Sequence, residues 1–256
     1  MIDERAIIHP KAKLGSGVSI GPGTVIGADV EIGENTWVGP HVVIQGPTII
    51  GKNNQIFQFS SIGDEPQDIT YRGEPTQLEI GDDNIIREYC MISRGTLKGG
   101  GITRIGNHNY LMAFTHVGHD CQVGNYTTMV NHAALSGHVI LEDYATVGPY
   151  SGIHQFCHIG AYSFIARATY VSMDVLPYIM VAGPVSASHG VNTVGLKRRG
   201  FSSTTVESLR RAYKTIFRKG LTVREATAEL EVMQTQCPEV GLMINALNRA
   251  TRGIIR

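Results

Sequence analysis

The chain has 256 residues, 42% hydrophobic and 17% charged, which is enough apolar material for a large core and excludes a disordered or supercharged chain. Lys plus Arg and Asp plus Glu number 22 each, yet 10 basic and 17 acidic residues precede position 197 while 12 basic and 5 acidic follow from it. An acidic body with a basic tail suits an anionic ligand or an acidic protein partner, and it disfavours an extended nucleic-acid footprint. No apolar run predicts a signal peptide or a membrane span. Cys90, Cys121, Cys157 and Cys237 lack CxxC spacing, so the expectation is a reducing compartment, most simply the cytoplasm.

From Ile2 an aliphatic residue recurs every six positions through Ile8, Leu14, Ile20, Ile26, Ile32, Val38, Ile44, Ile50, Ile56 and Ile62, often followed by glycine, as at Gly15, Gly21 and Gly27. The register resumes at Ile80, Ile86 and Ile92, slips by one residue, and runs from Ile105 to Val171. Neither a helix nor an amphipathic strand has that period. A triangular coil does: each hexad supplies a short strand and a corner, three hexads close one turn, and turns stack about 4.8 Å apart as parallel strands. About nine such coils are predicted, each buried only by its neighbours.

Two segments break the pattern, 64–79 (DEPQDITYRGEPTQLE) and 94–104 (RGTLKGGGITR), both polar or glycine-rich and predicted to leave the coil as binding loops. Because Ile62 and Ile80 stand three hexads apart, the first is expected to replace one turn's worth of sequence. The tail changes character. The solenoid is assigned to 1–185, and 186–256 to a connector and a C-terminal helical domain. Thr204 with Glu207 and Thr222 with Glu225 have capping-box spacing, Gly220 ends the first helix, and Pro238 opens a third that presents Val240, Met243, Ile244 and Leu247. These helices should cover the solenoid's open end.

All ten histidines precede residue 190. His9, His41, His108 and His189 read as ordinary surface residues. With three hexads to a coil, His119, Gly137 and Gln155 form one column, and Asp120, His138 and Phe156 the next. A neutral imidazole is a natural general base near pH 7. Asp120 can orient His119, the Gly137 N–H can receive an oxyanion, and His138, His154 and Gln155 can add polar contacts. A metal held by His116, His119, His132, His138 or His154 is the competing reading, but no three-histidine column emerges, so no metal is expected. Cys121 and Cys157 read as small buried hydrophobes, and no phosphate loop or Rossmann fingerprint is present. Lys197, Arg198 and Arg199, placed before the first tail helix, suit either a solvated junction or a phosphate clamp.

The hexads, QDITYRGEPT, HVGHDC, LSGH, HQF at 154–156 and GVNTVGLKRRGF together resemble the UDP-N-acetylglucosamine O-acyltransferases that begin lipid A synthesis, over essentially the whole chain. The resemblance implies an all-β solenoid, a left-handed parallel β-helix of hexapeptide repeats with a C-terminal helical subdomain. It implies a cytoplasmic homotrimer that moves an (R)-3-hydroxyacyl group from acyl carrier protein to the sugar 3-hydroxyl in clefts between subunits. No cofactor is bound permanently; the donor brings phosphopantetheine on its carrier. Position by position, the resemblance makes His119 the base, Asp120 its neighbour and Gly137 the oxyanion donor. Asp68, His116, His138, His154 and Gln155 fall around the sugar and pyrophosphate, with Asn192, Arg198 and Arg199 in the region of the nucleotide or the pantetheine arm. Thr70 stands where better-known members carry lysine, so a phosphate or sugar contact is missing or supplied otherwise. Arg167 and Val185 occupy positions tied to acyl length. The other classes considered are a coenzyme-A-dependent transferase, acylation of the 3-amino sugar analogue, a gamma-type carbonic anhydrase and a non-enzymatic trimeric scaffold.

Overall fold

A computed structural model describes residues 1–256. The hexads form three parallel sheets, the faces of a prism. Face 1 has nine strands, from Ile7–Ile8 to Tyr170–Val171; face 2 has eight, from Lys13–Leu14 to His158–Ile159; face 3 has ten, from Ser19–Ile20 to Ile179–Ala182 and the strand after it. Successive coils pair in register three hexads apart, as Ile8 with Ile26 and Val117 with Leu135. This is the triangular coil that the repeat predicts, and the left-handed parallel β-helix with a helical subdomain that the resemblance implies. Hexad residues from Ile20 to Val171 fill the prism, each worth about 1.5–3 kcal/mol of apolar burial. The first is the exception: Ile2 makes only an isolated bridge to Ile20 and stays 50% exposed, because no coil lies below it.

Most hexads turn their corner through one residue in the left-handed region, and many of these are not glycine: His108, Asp120, Tyr126, His132, His138 and Phe156 all have positive φ, from 56° at Tyr126 to 66° at Phe156. Stacking offsets the backbone cost. On the corner between faces 2 and 3, the rings of His108, Tyr126, Tyr144, Tyr162 and Tyr178 form a continuous ladder with spacings of 4.7–5.6 Å. Between faces 3 and 1, His41, Phe59, Tyr89, Phe114, His132 and Tyr150 do the same. His41 and His108 are therefore ladder members rather than scattered surface residues. Inside the prism, buried Asn54, Asn84 and Asn109 stack and bond the next coil's backbone, which leaves none of their polar groups stranded.

Both excursions leave the corner between faces 1 and 2. Ile62 pairs with Ile92 and not with Ile80, so the first loop adds two hexads of chain to a coil instead of replacing a turn. Ile92 pairs with Val117 and not with Tyr110, so the second adds a hexad and one residue more, which is why the hexad register slips by one. Their flanks are regular strand, Gln77–Ile80 and Ile102–Ile105, leaving 65–76 and 94–101 as the true loops.

The stretch read as a connector folds back as a hairpin: Ala187–Val191 runs antiparallel to Ile179–Ala182 and extends face 3. Four helices follow, α1 (Thr193–Arg198), α2 (Ser203–Arg218), α3 (Val223–Gln234) and α4 (Val240–Arg249). Short α1 has no apolar period to announce it, and it carries Lys197 and Arg198 in its last turn instead of ahead of the first helix. Ser202, not Thr204, caps α2, its hydroxyl accepting from Thr205 N at 3.0 Å; Glu207 faces Arg210. Gly220 follows the α2 C-cap with φ 70°, and the Thr222–Glu225 capping box is present. Pro238 lies in the turn just ahead of α4, whose Val240, Met243, Ile244 and Leu247 are buried. Arg249 of α4 reaches Glu142, and Ile254 bridges to Asp174, so the tail closes onto the last coils.

Candidate active site

His119 and Asp120 sit on the corner between faces 1 and 2, directly after the strand His116–Val117. His119 Nδ1 lies 2.8 Å from Asp120 Oδ2. Thr96, from the second excursion one coil below, donates its N–H to Asp120 Oδ1 and its hydroxyl to Oδ2, both at 2.7 Å. Asp120 N donates to Thr103 Oγ1 at 2.8 Å. Burial alone would raise the Asp120 carboxyl; the bonds from His119 and Thr96 outweigh it and hold the group below its ordinary value. A fixed carboxylate on Nδ1 sets the imidazole tautomer, leaving the Nε2 lone pair outward.

His119 lies beneath Gly137. A Cβ at Gly137 would come within 2.5 Å of His119 Cε1 and 2.7 Å of Nε2, so only glycine lets the ring lie flat on the next coil. The buried Gly137 N–H, on the residue against which the His119 ring packs, donates to no protein group. His138 stands edge-on to His119, with centroids 5.1 Å apart and Nε2 3.7 Å from Asp120 Oδ2. Phe156 stacks on the other face of His138 at 4.4 Å. Burial lowers the His138 pKa, against the pull of Asp120, and burial lowers His116 with help from His119. Both imidazoles therefore favour the neutral form. Ligating atoms of His119, Asp120 and His138 fall within 4.8 Å of one another, a spacing that a metal ion can use, but both Asp120 oxygens already accept hydrogen bonds, which fits an orienting carboxylate better than a ligand.

Asp68, in the first excursion, joins this group: its carboxyl is held down by the Thr70 backbone and hydroxyl, and the charges of Lys98 and His119 act in the same direction. Arg94, buried at the root of the second excursion, donates to the carbonyls of Gly46 and Gly63 and to the Tyr71 hydroxyl, tying the two loops together. Arg94, Thr96, Lys98 and Thr103 were not singled out in the sequence. The signal was there in Thr96, three residues before a run of three glycines, the spacing of a hydroxyl-capped turn. Cys121 is adjacent but inert, its thiol pushed up to about 12 by burial.

The remaining expected residues lie elsewhere in this chain. His154 and Gln155 share the corner but sit two coils above, where His154 bonds the Gln155 carbonyl and approaches Arg252 at 3.4 Å. Asn192 caps α1, accepting from Gly195 N at 3.1 Å and donating to Tyr162 O at 3.0 Å, so both its amide atoms are engaged in the fold. Arg198 is exposed, and Arg199 packs its guanidinium 4.6 Å from the Tyr144 ring on the face 2/3 corner. Arg167 is exposed on the face 3/1 corner beside Ala168, and Val185 is 88% exposed at the hairpin tip. A groove of about 900 Å³ runs along face 2, lined by Ile49, Gln122, Ile140, Tyr144, Tyr162 and Leu242 among others. It does not contain the dyad, and it reaches the face 2/3 corner at Tyr144 and Tyr162.

Known proteins share this sequence and fold. The family described as bacterial transferase hexapeptide (six repeats) matches residues 29–64, and that described as UDP-N-acetylglucosamine O-acyltransferase, domain 2, matches residues 174–255. The acyl-[acyl-carrier-protein]--UDP-N-acetylglucosamine O-acyltransferase of Stutzerimonas stutzeri is 49% identical over 256 residues, 100% of this chain and 99% of that one. LpxA from Acinetobacter baumannii superposes with a TM-score of 0.98 at 45% identity, covering 100% of this chain and 99% of its own. The UDP-N-acetylglucosamine O-acyltransferase of Moraxella catarrhalis gives 0.98 at 41% identity, with coverage of 100% and 99%.

Proposed function

The chain belongs to the UDP-N-acetylglucosamine O-acyltransferase family, and we propose how its own residues carry out acyl transfer from acyl carrier protein to UDP-N-acetylglucosamine. The group moved is an (R)-3-hydroxyacyl chain, and the product opens lipid A synthesis. The single observation that carries the mechanism is the 2.8 Å bond between His119 Nδ1 and Asp120. With Nδ1 donating to that carboxylate, Nε2 takes the proton of the sugar 3-hydroxyl as its oxygen attacks the thioester carbonyl carbon. Charge builds on the carbonyl oxygen and is met by the free Gly137 N–H. Collapse breaks the carbon–sulfur bond, and the imidazolium returns its proton to the departing phosphopantetheine thiol. Asp120 stays ionised throughout and balances the transient imidazolium. Asp68, His116 and His138 line the sugar side. No resident cofactor enters this scheme, because the phosphopantetheine arrives with the donor.

We read the assembly as a homotrimer. His119, Arg199 and Arg167 occupy three different corners of one prism, so they cannot converge within a chain. A cyclic trimer sets a corner of one copy against its neighbour, which lets Asn192, Arg198 and Arg199 serve the nucleotide or pantetheine arm, and Arg167 and Val185 the acyl end, of a site built around another copy's His119. A cytoplasmic location is supported by four free, buried cysteines, and no helix is long and apolar enough to cross a membrane.

The test is an assay of purified protein with UDP-N-acetylglucosamine and hydroxyacyl carrier proteins of several chain lengths. Ester product is expected, and His119→Ala should lower kcat by about 10² to 10⁴ while acceptor binding persists. No product with any donor, or near-normal turnover in the variant, refutes the reading. Light scattering checks the trimer, and mixed assemblies of His119→Ala with Arg198→Ala/Arg199→Ala chains should regain activity that neither has alone.

A further inference from the structure

The second excursion does more than grip Asp120. Its turn, capped by Thr96 and closed at Gly99 and Gly100, presses so near the dyad that a Cβ on Gly99 would lie 2.0 Å from Asp120 Cγ. The residue before Gly99 is thus held in place by the catalytic carboxylate. That residue is Lys98, and its Nζ crosses to the first excursion, donating to Thr70 Oγ1 at 2.7 Å. Thr70 in turn donates both its N–H and its hydroxyl to Asp68 Oδ1 at 2.8 Å. An ammonium has three N–H donors. Lys98 uses one, on a neutral hydroxyl, and no carboxylate lies within ion-pair distance of it. A cation is therefore fastened over the dyad with two donors unspent and no direct ion pair, its nearest anion, Asp68, reached only through the Thr70 hydroxyl.

The acceptor supplies the matching charge. In a nucleoside-diphosphate sugar the reacting oxygen is on C3 and the diphosphate hangs from C1, so placing O3 at His119 Nε2 puts two negative charges about one sugar width away. We propose that Lys98 binds the diphosphate of the acceptor, so that the two excursions together form a phosphate-binding bridge over the His119–Asp120 dyad. This rests on the acyltransferase reading above. It also accounts for position 70, where the sequence has a hydroxyl in place of the expected lysine: Lys98 brings an ammonium to the same point from the other loop.

The experiment is calorimetric titration of the intact protein with UDP-N-acetylglucosamine at several salt concentrations, for wild type, Lys98→Met, Lys98→Arg, and Lys98→Met combined with Thr70→Lys. Loss of one charge-assisted bond should weaken binding about tenfold in Lys98→Met and flatten its salt dependence. Lys98→Arg should stay within about threefold of wild type by the same measure, and the added Thr70→Lys should recover most of the loss. Unchanged affinity in Lys98→Met overturns the proposal. So does weakening that Lys98→Arg shares and that leaves the salt dependence intact, since the side chain then only braces the loops. A wild type that does not bind the nucleotide sugar refutes the acyltransferase reading too, whereas wild-type binding with an indifferent Lys98→Met refutes this inference alone.

Discussion

Two corners of the same prism have almost the same backbone and opposite chemistry. At the corner between faces 2 and 3, left-handed residues from successive coils stack five rings in a row, His108 to Tyr178, with no catalytic pair among them. At the corner between faces 1 and 2 the equivalent places hold Asp120, His138 and Phe156, and the coils just below throw out both excursions. The repeat supplies a rigid row of positions, and function depends on which row is covered by loops able to grip a carboxylate. Thr96 and Gly99 reach Asp120; no loop reaches Tyr126 or Tyr144 in that way.

Gly137→Ala tests that contrast most severely. The new Cβ must push the His119 ring off its coil and crowd the free N–H beside it, so kcat should fall by about 10² to 10³ with little change in melting temperature. A fully active Gly137→Ala would show that the ring need not lie where it does. Next comes Asp120→Asn, which gives Thr96 a worse acceptor and no longer fixes Nδ1–H. Turnover should drop at least about tenfold, with acceptor affinity kept. Unaltered turnover would free His119 from its neighbour.

On the other corner the expectation reverses. Tyr126→Ala removes stacks at 4.7 Å on His108 and 4.9 Å on Tyr144, costing about 1 to 3 kcal/mol of stability by denaturant unfolding and leaving turnover intact. A large loss of activity there would break the distinction between the two corners. The smallest effect is in pH. His116 and His138 have folded pKa values below the ordinary 6.5, so the unfolded chain takes the proton first, and stability falls as pH drops below about 6.5 toward the depressed folded values. His138→Gln should make that decline shallower, by no more than about 1 kcal/mol between pH 7 and pH 5. An identical decline in wild type and variant would remove His138 from the effect.

How much of this was legible beforehand follows from the same geometry. Counting three hexads to a coil set His119 beneath Gly137 and Asp120 beneath His138, because parallel stacking leaves no freedom of register once the aliphatic row is buried. The same count puts Gln155 in the His119 column two coils up, with His154 beside it, both too high to touch the dyad itself. Counting does not place Asn192, whose amide caps the start of α1 in its own chain. Loops have no period, so the bonds of Arg94, Thr96 and Lys98 could not be counted at all.

The sequence by itself determined the prism, its corners, the slip of one residue and the stacking of the dyad, since a six-residue aliphatic period can bury its side chains in essentially one way. Only the tertiary structure decided that both excursions leave the dyad's own corner, that Thr96 holds Asp120, that Lys98 meets Thr70, and that Arg167 and Arg199 lie on other corners. Those facts depend on where the irregular segments of the two lengthened coils come to rest. Their resting places are set by individual hydrogen bonds to groups far along the chain, and no local pattern encodes them.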